Sequence, residues 1–224
     1  MTWEYTFRPS SLDEMALYPA LRKSLEHFYS SKKFSHLLMH GSPGTGKTTA
    51  ARILGDRMGG AYEVNCSEDN TKNKILEIAR GTTSANFWKE KKLVIMDEFD
   101  DVTPSHQNIL KKYLEDNFNR CVFVFCTNYK KKVSAAILDR CLLLPFDVGK
   151  INDKNNFVTS KFSNISKQEW IEELSRVVRL VAAKNNTTIL DGVLDIVAED
   201  NANLISIRRF LRSVNHTNLL MSDS

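Results

Sequence analysis

The sequence predicts an α/β fold in which helices flank a five-stranded parallel sheet, followed by a small all-helical domain. Two apolar runs are almost continuously hydrophobic, as expected for strands covered by helices on both faces. Helical patterns at 48–58 and 105–118 lie between the runs, and this alternation predicts right-handed βαβ crossovers. The five predicted strands are His36–His40, Ala61–Asn65, Leu93–Asp97, Cys121–Thr127 and Cys141–Phe146.

The chain changes character after residue 147. Residues 148–165 are mostly polar, so we predict a linker there, and beyond it no further strand pattern is convincing. Ser166 and Glu169 have the spacing of a capping box at the start of a helix, and the apolar positions at 193–197 and 205–214 predict two or three more helices. The predicted division is an α/β domain at 1–147, a linker at 148–165 and a helical domain at 166–220.

The composition indicates an ordinary globular chain. Hydrophobic residues make up 42% of it, which is enough for a packed core, and the net charge of +4 is too small to decide for or against a nucleic-acid partner. The four cysteines lack the spacing of a metal site, and we expect them to be reduced thiols. No signal peptide or membrane-spanning stretch is recognisable, so we expect a soluble, cytoplasmic protein.

Residues Gly41–Thr48 read GSPGTGKT and match the pattern GxxxxGK[ST]. They follow a predicted strand and open a predicted helix, which is the context that a phosphate-binding loop requires. In such a loop Lys47 reaches the β- and γ-phosphates, and the Thr48 hydroxyl binds Mg²⁺. The alternative is a glycine-rich turn with an incidental lysine. We predict that ATP and Mg²⁺ bind here, with nucleotide contacts at Ser42, Pro43, Gly44, Thr45, Gly46, Lys47, Thr48 and Thr49.

Two carboxylates, Asp97 and Glu98, end the apolar run that starts at Leu93. Ligands of open α/β sheets bind at the carboxyl ends of the strands, beside the phosphate loop. We therefore expect Asp97 to hold Mg²⁺ through water, and Glu98 to orient or deprotonate the attacking water. The alternative is that Glu98 and the acidic residues after it form a solvated loop.

Beyond these motifs, the chain resembles AAA+ ATPases, and among them the sliding-clamp loaders of the phage large-subunit and replication factor C small-subunit type. The resemblance covers about residues 3–214 and lacks the family's C-terminal collar domain. It implies a P-loop AAA+ ATPase domain with a small helical lid domain. The motifs that carry it are Trp3–Pro9, Val64–Asp69, the DE-x-D box Asp97–Asp100, Gln107–Lys112, the sensor 1 segment Cys126–Asn128, Leu138–Cys141 and the sensor 2 segment Ile207–Arg209.

The resemblance also implies roles for individual residues. Phe7 and Pro9 would pack near the adenine, and Asn128 would contact the γ-phosphate and the attacking water. Arg208 would be the sensor 2 arginine, and Arg140 would act in trans on the ATP of a neighbouring subunit. A surface arginine before a strand is the alternative for Arg140. The sequence departs from the family pattern at three places: Asp139 replaces a serine, Phe7 a tyrosine and Lys111–Lys112 an arginine pair.

The function that the resemblance implies is that of an ATP-hydrolysing subunit that loads a DNA polymerase sliding clamp onto primer-template DNA. Its partners would be the clamp, companion loader subunits in a hetero- or homo-oligomer, and DNA, with candidate DNA contacts at Thr71, Lys72 and Lys74. The phage likeness would fit a virus-encoded protein that acts in the host cytoplasm. The alternatives are a helicase loader or other remodelling ATPase, a small-molecule P-loop kinase, and a nucleotide-dependent assembly subunit that does not hydrolyse ATP.

Overall fold

A computed structural model describes Trp3 and residues 7–31, 35–68, Glu77, 92–116, 121–151, 156–159, 163–200 and 205–222. The strands are β1 His36–His40, β2 Ala61–Asn65, β3 Lys92–Asp97, β4 Cys121–Thr127, β5 Cys141–Pro145, β6 Lys150–Ile151, β7 Asn156–Thr159 and β8 Ser163–Ser166. The described α-helices are α1 Pro19–Ser30, α2 Lys47–Arg57, α3 Pro104–Asp116, α4 Ala135–Leu138, α5 Lys167–Lys184, α6 Val193–Ala198 and α7 Ile207–Ser222. Short 3₁₀ turns lie at Leu12–Glu14, Phe99–Asp101 and Lys130–Lys132.

The predicted parallel sheet is confirmed. Strands β1 to β5 form one sheet in the order β2-β3-β4-β1-β5, and every neighbouring pair is parallel. The apolar runs predicted the strand bounds to within one residue, at the start of β3 and the end of β5. The parallel pairing of β4 with both β1 and β3 places the carboxyl ends of these three strands at one edge.

By their internal contacts, the residues fall into two compact units. The sheet unit consists of Ser24–Gly41 and Lys47–Pro145, and the helical unit of Met1–Lys23, Ser42–Gly46 and Phe146–Ser224. The core of the sheet unit lies around β3 and β4, whose side chains are covered on both faces. It includes the fully buried Val94, Met96, Phe123 and Phe125, with Leu110 from α3. The predicted domain limits at 147 and 165 stay a prediction.

Residues 148–165, where we predict a linker, contain short strands that no apolar run predicts. Strands β6, β7 and β8 form a three-stranded antiparallel sheet. Each strand has only two to four residues, so none produces the long apolar run or the sustained alternation that signals a strand in a sequence. The backbone N–H and C=O groups of these strands are paired with a neighbouring strand only a few residues away in sequence.

The helical unit is built around α5. The predicted capping box is confirmed: Ser166 Oγ accepts from the Glu169 backbone N–H at 3.1 Å, and Glu169 Oε2 accepts from the Ser166 N–H at 2.9 Å. The apolar face of α5 is buried, and it includes Trp170, Leu174 and Val178. Among the helices that the structure describes, none combines the length and apolar character needed to cross a membrane.

Within the helical unit, charged side chains connect the segment that precedes α1 with helix α5. Arg22 donates to Leu12 O at 2.8 Å and to Met15 O at 3.0 Å, and its guanidinium lies 2.9 Å from Glu173 Oε1. Arg176 donates to Asp13 O at 2.7 Å and also pairs with Glu173. These bonds hold the carbonyls of a segment that has little regular structure of its own.

Candidate nucleotide-binding site

The glycine-rich segment Gly41–Thr48 connects β1 to α2, as the motif predicts. Gly44 and Gly46 adopt φ values of +78° and +94°, in the left-handed region that favours glycine. Both are also crowded: a Cβ on Gly44 would lie 2.5 Å from Ser206 Oγ, and one on Gly46 would lie 2.7 Å from Met15 Cε. Backbone geometry therefore requires glycine at both positions, and a side chain at either would also have to displace its neighbour.

Lys47, the first residue of α2, is only 7% exposed. Its Nζ donates to Gly41 O at 2.7 Å and to Asn128 Oδ1 at 2.9 Å. Asn128 directly follows β4, so the bond joins the phosphate loop to the end of a neighbouring strand. The structure thus brings together two residues that were predicted from motifs 81 residues apart.

A second bond joins the loop to β3. Thr48 Oγ1 donates to Asp97 Oδ2 at 2.9 Å, while Asp97 Oδ1 accepts from the Glu98 backbone N–H at 3.0 Å. Burial raises the pKa of the Asp97 carboxyl, opposed by these two hydrogen bonds and reinforced by the charges of Glu63 and Glu98. A buried carboxylate with a raised pKa is stabilised by a bound cation. The hydroxyl and carboxylate oxygens are the ligand type that Mg²⁺ prefers, so the residues present fit that ion.

Glu98 is exposed and has φ +52° and ψ +40°, the left-handed conformation that non-glycine residues rarely adopt. Such a backbone costs about 1–3 kcal/mol, and surrounding structure must hold it in place. Here the Asp97 carboxylate binds the Glu98 N–H and a 3₁₀ turn follows at Phe99–Asp101. The turn directs the chain away from β3 at the residue predicted to act on water.

Asp100 has a role that the sequence reasoning missed. Its Oδ1 accepts from Thr127 Oγ1 at 2.8 Å and from the Asn128 backbone N–H at 2.9 Å. The Asp100 carboxylate thereby fixes the backbone of Asn128, whose side-chain amide binds Lys47. The available signal was the third acidic residue of the box Asp97–Asp100, which the sequence analysis left without a function.

Within the helical unit, the tip of the loop lies against the start of α7. The Arg208 backbone N–H lies 3.4 Å from Gly44 O, and Thr45 Oγ1 donates to Ser42 O at 2.9 Å. Asp147 Oδ1 accepts from the Ser42 N–H at 2.7 Å, a second contact that sequence reasoning missed. A cleft of about 410 Å³ lies here, lined by Ser42, Pro43, Gly44, Ile205, Ser206, Arg208, Arg209 and Arg212. Three of its lining residues are arginines.

The remaining predicted residues have separate surroundings. Phe7 is 9% exposed with the Lys184 ammonium 5.2 Å from its ring centroid, and Pro9 is half-buried, both in the helical unit. Thr49 lies in the first turn of α2. Arg140 donates to Ala136 O at 2.7 Å and, through Nε, to Glu115 Oε1 at 2.9 Å, rather than joining the cluster around Lys47. Thr71, Lys72 and Lys74 lie outside the described residues.

Comparisons with known proteins agree with this geometry. Residues 37–144 match the model of the ATPase family associated with various cellular activities (AAA). The chain is 33% identical over 182 residues to the replication factor C small subunit of Staphylothermus marinus, which covers 77% of this chain and 54% of the relative. The corresponding protein of Aeropyrum pernix is 29% identical over 217 residues, covering 92% and 61%.

The fold also occurs in solved structures of more distant sequence. The RuvB Holliday junction branch migration motor of Thermotoga maritima has a TM-score of 0.70 at 18% identity, with 96% of this chain and 66% of that chain covered. Fold and phosphate loop together define a P-loop ATPase. Residues 37–144 thus form a domain of the AAA type, and the chain spans about half the length of the curated relatives that it matches first.

Proposed function

We propose that this chain is an ATP-hydrolysing subunit of a sliding-clamp loader in DNA replication. The observation that carries the proposal is the hydrogen-bonded cluster at the carboxyl edge of the sheet, in which Lys47 binds Asn128 and Thr48 binds Asp97. The similarity to replication factor C small subunits over three quarters of the chain supports the clamp-loader assignment within the family. It does not favour the helicase-loader alternative.

The loop residues would bind ATP through backbone N–H groups, while Lys47 would turn from Gly41 O and Asn128 toward the β- and γ-phosphates. Mg²⁺, when bound, supplies positive charge that stabilises the transferring phosphoryl group. Thr48 and Asp97 would hold that ion, directly and through water respectively. Arg208, on a helix whose start contacts Gly44 O, would act as the sensor 2 residue, and Phe7 and Pro9 would pack near the adenine.

Glu98 would orient or deprotonate the water that attacks the γ-phosphate. The role requires a carboxylate near the phosphate but off the metal, because a metal-bound carboxylate is a weak base. The different environments of the neighbouring carboxylates support these different roles: Asp97 is half-buried and hydrogen-bonded to Thr48, whereas Glu98 is exposed beyond the end of the strand. Asn128, held through its backbone by Asp100, would position the same water.

Arg140 would act on ATP bound to a neighbouring subunit. A permanently charged, planar guanidinium suits that task because it stabilises charge on phosphoryl oxygens. Its side chain is 27% exposed and its ion-pair partner Glu115 is 54% exposed, so an approaching anion can compete for it. We infer that the partners are the sliding clamp, companion subunits and primer-template DNA, and that the protein acts in the cytoplasm.

Nucleotide binding and hydrolysis test the proposal separately. Lys47→Ala should abolish ATP binding, measured with a fluorescent nucleotide, and Glu98→Gln should retain binding and lose hydrolysis. Glu26→Gln, which alters an exposed carboxylate on α1, is the matched control and should leave both unchanged. Arg140→Ala should lose hydrolysis only at sites where it faces the ATP of a wild-type neighbour. Undiminished turnover in both Glu98→Gln and Arg140→Ala would overturn the proposed mechanism.

A further inference from the structure

An exposed, basic turn follows the cluster residue Asn128. This turn, Tyr129–Lys132, carries three consecutive lysines in a 3₁₀ turn, and the Tyr129 side chain is 60% exposed. The Lys132 ammonium lies 5.2 Å from the Tyr129 ring centroid. Within the part of the chain that the structure describes, no carboxylate forms an ion pair with any of the three lysines. We call residues 129–132 the lysine turn.

The backbone of the lysine turn is fixed at both ends. At its start, the Tyr129 N–H donates to Thr127 Oγ1 at 3.0 Å. At its end, the buried Gln107 amide donates to Lys132 O at 3.0 Å and accepts from the Ser134 N–H at 2.7 Å, and Val133 between them is 5% exposed. The exposed side chains therefore project from a rigid base, so ordering them on a ligand costs less than it would on a mobile loop.

We propose that the lysine turn is a binding surface for unpaired DNA, with Tyr129 stacking on a base and the lysines contacting phosphates. Lysines on a rigid surface neutralise a phosphate backbone whatever its sequence, and an exposed aromatic ring provides the stacking contact that single strands use. An acidic protein surface would need the charges but not the exposed ring. The proposal rests on the proposed function, because a clamp loader acts where single-stranded template adjoins duplex.

The test uses the full chain and a fluorescent oligodeoxythymidine of about 20 nucleotides, longer than the site of a typical single-strand-binding module. Anisotropy titrations between about 50 and 200 mM salt should give a binding slope that is smaller by about 1.4 in Lys131→Ala/Lys132→Ala, because each single-strand phosphate contact contributes about 0.7. Tyr129→Ala should weaken binding at least about five-fold, whereas Tyr129→Phe retains the stacking ring and should bind like the wild type.

The matched control is Lys23→Ala/Arg179→Ala, which removes the same charge from two exposed positions on α1 and α5. It should leave the salt slope unchanged, and the affinity for a fluorescent nucleotide should be unchanged in both double variants. An equal loss in the control and the lysine-turn variant would reduce the effect to net charge and overturn the proposal. The proposal would also be overturned if the lysine-turn variant bound DNA normally but bound the cognate clamp more weakly, because the turn would then be a contact for an acidic protein.

Failure of the DNA-surface proposal can be distinguished from failure of the ATPase proposal. The DNA-binding assay contains no clamp or companion subunit and requires no hydrolysis. Loss of DNA binding in the lysine-turn variants supports the surface even if clamp and DNA fail to stimulate the ATPase. Unchanged DNA binding refutes the surface even if the ATPase responds as proposed.

Discussion

Replacement of Asp100 tests whether the sheet unit positions Asn128 in the way the contacts indicate. Asp100→Ala removes both hydrogen bonds to Oδ1, from Thr127 Oγ1 and from the Asn128 backbone N–H. Thr127 is 1% exposed, so water cannot readily replace its bond. The Asn128 backbone would then lose the contact that holds it beside Lys47.

The magnitude follows from these two bonds. A hydrogen bond to a charged group contributes about 1.5–3 kcal/mol, and allowing for the half-buried Asp100 we expect a loss of about 2–4 kcal/mol in the free energy of unfolding. Asp100→Asn retains an acceptor oxygen without the charge and should lose about half as much. A displaced Asn128 should lower the ATPase kcat by about 10- to 100-fold, since misplacement by about 1 Å has effects of that size.

Urea unfolding followed by circular dichroism gives the stability, and a coupled ATPase assay gives kcat. Asp56→Ala, which removes an exposed carboxylate from α2, is the control and should change neither. If Asp100→Ala matched this control in both measurements, the inference that Asp100 positions Asn128 would be refuted. A loss of stability with normal turnover would restrict Asp100 to a structural role.

Two further predictions concern stability. Gln107→Leu should reduce the free energy of unfolding, measured in urea titrations, by about 3–5 kcal/mol. The substitution leaves two backbone carbonyls and one backbone N–H without their side-chain amide partner. Gln168→Leu, on the exposed face of α5, is the control and should have little effect. Burial opposes but does not cancel the hydrogen bonds and charges of Arg176 and its neighbours, which lower the pKa of Glu173. The stabilisation from the ionised Glu173 is complete above about pH 4.3, the pKa of an unfolded glutamate, and is lost as the pH falls through the lowered pKa of the folded state. Glu173→Gln should therefore destabilise the chain at neutral pH and flatten the pH dependence of its stability in acid, whereas the control Glu172→Gln should do neither.

The parts of the fold that could be predicted are those that leave a local pattern. Strands β3 and β4 are buried on both faces, so they are apolar at almost every position and stand out in the sequence. The capping box at Ser166 is complete within four residues. The phosphate loop requires glycine for its positive φ values, so its motif is equally local.

Contacts between distant parts of the chain could not be predicted in this way. Asp147 binds the Ser42 N–H across 105 residues of sequence, and neither neighbourhood contains a sign of the other. The pairing of Arg140 with Glu115 likewise depends on how α3 lies beside the turn before β5. Strands β6 to β8 were missed because backbone pairing, which is indifferent to side-chain type, defines them more than an apolar run does.

The most direct test of the central claim is the steady-state ATPase activity of the purified chain, alone and with the cognate clamp, companion subunits and primer-template DNA. We predict that clamp and DNA together stimulate hydrolysis and that Lys47→Ala, which removes the ammonium bound to Asn128, abolishes it. ATP binding without any response to clamp or DNA, in an assembly shown to contain the chain, would contradict the clamp-loader assignment.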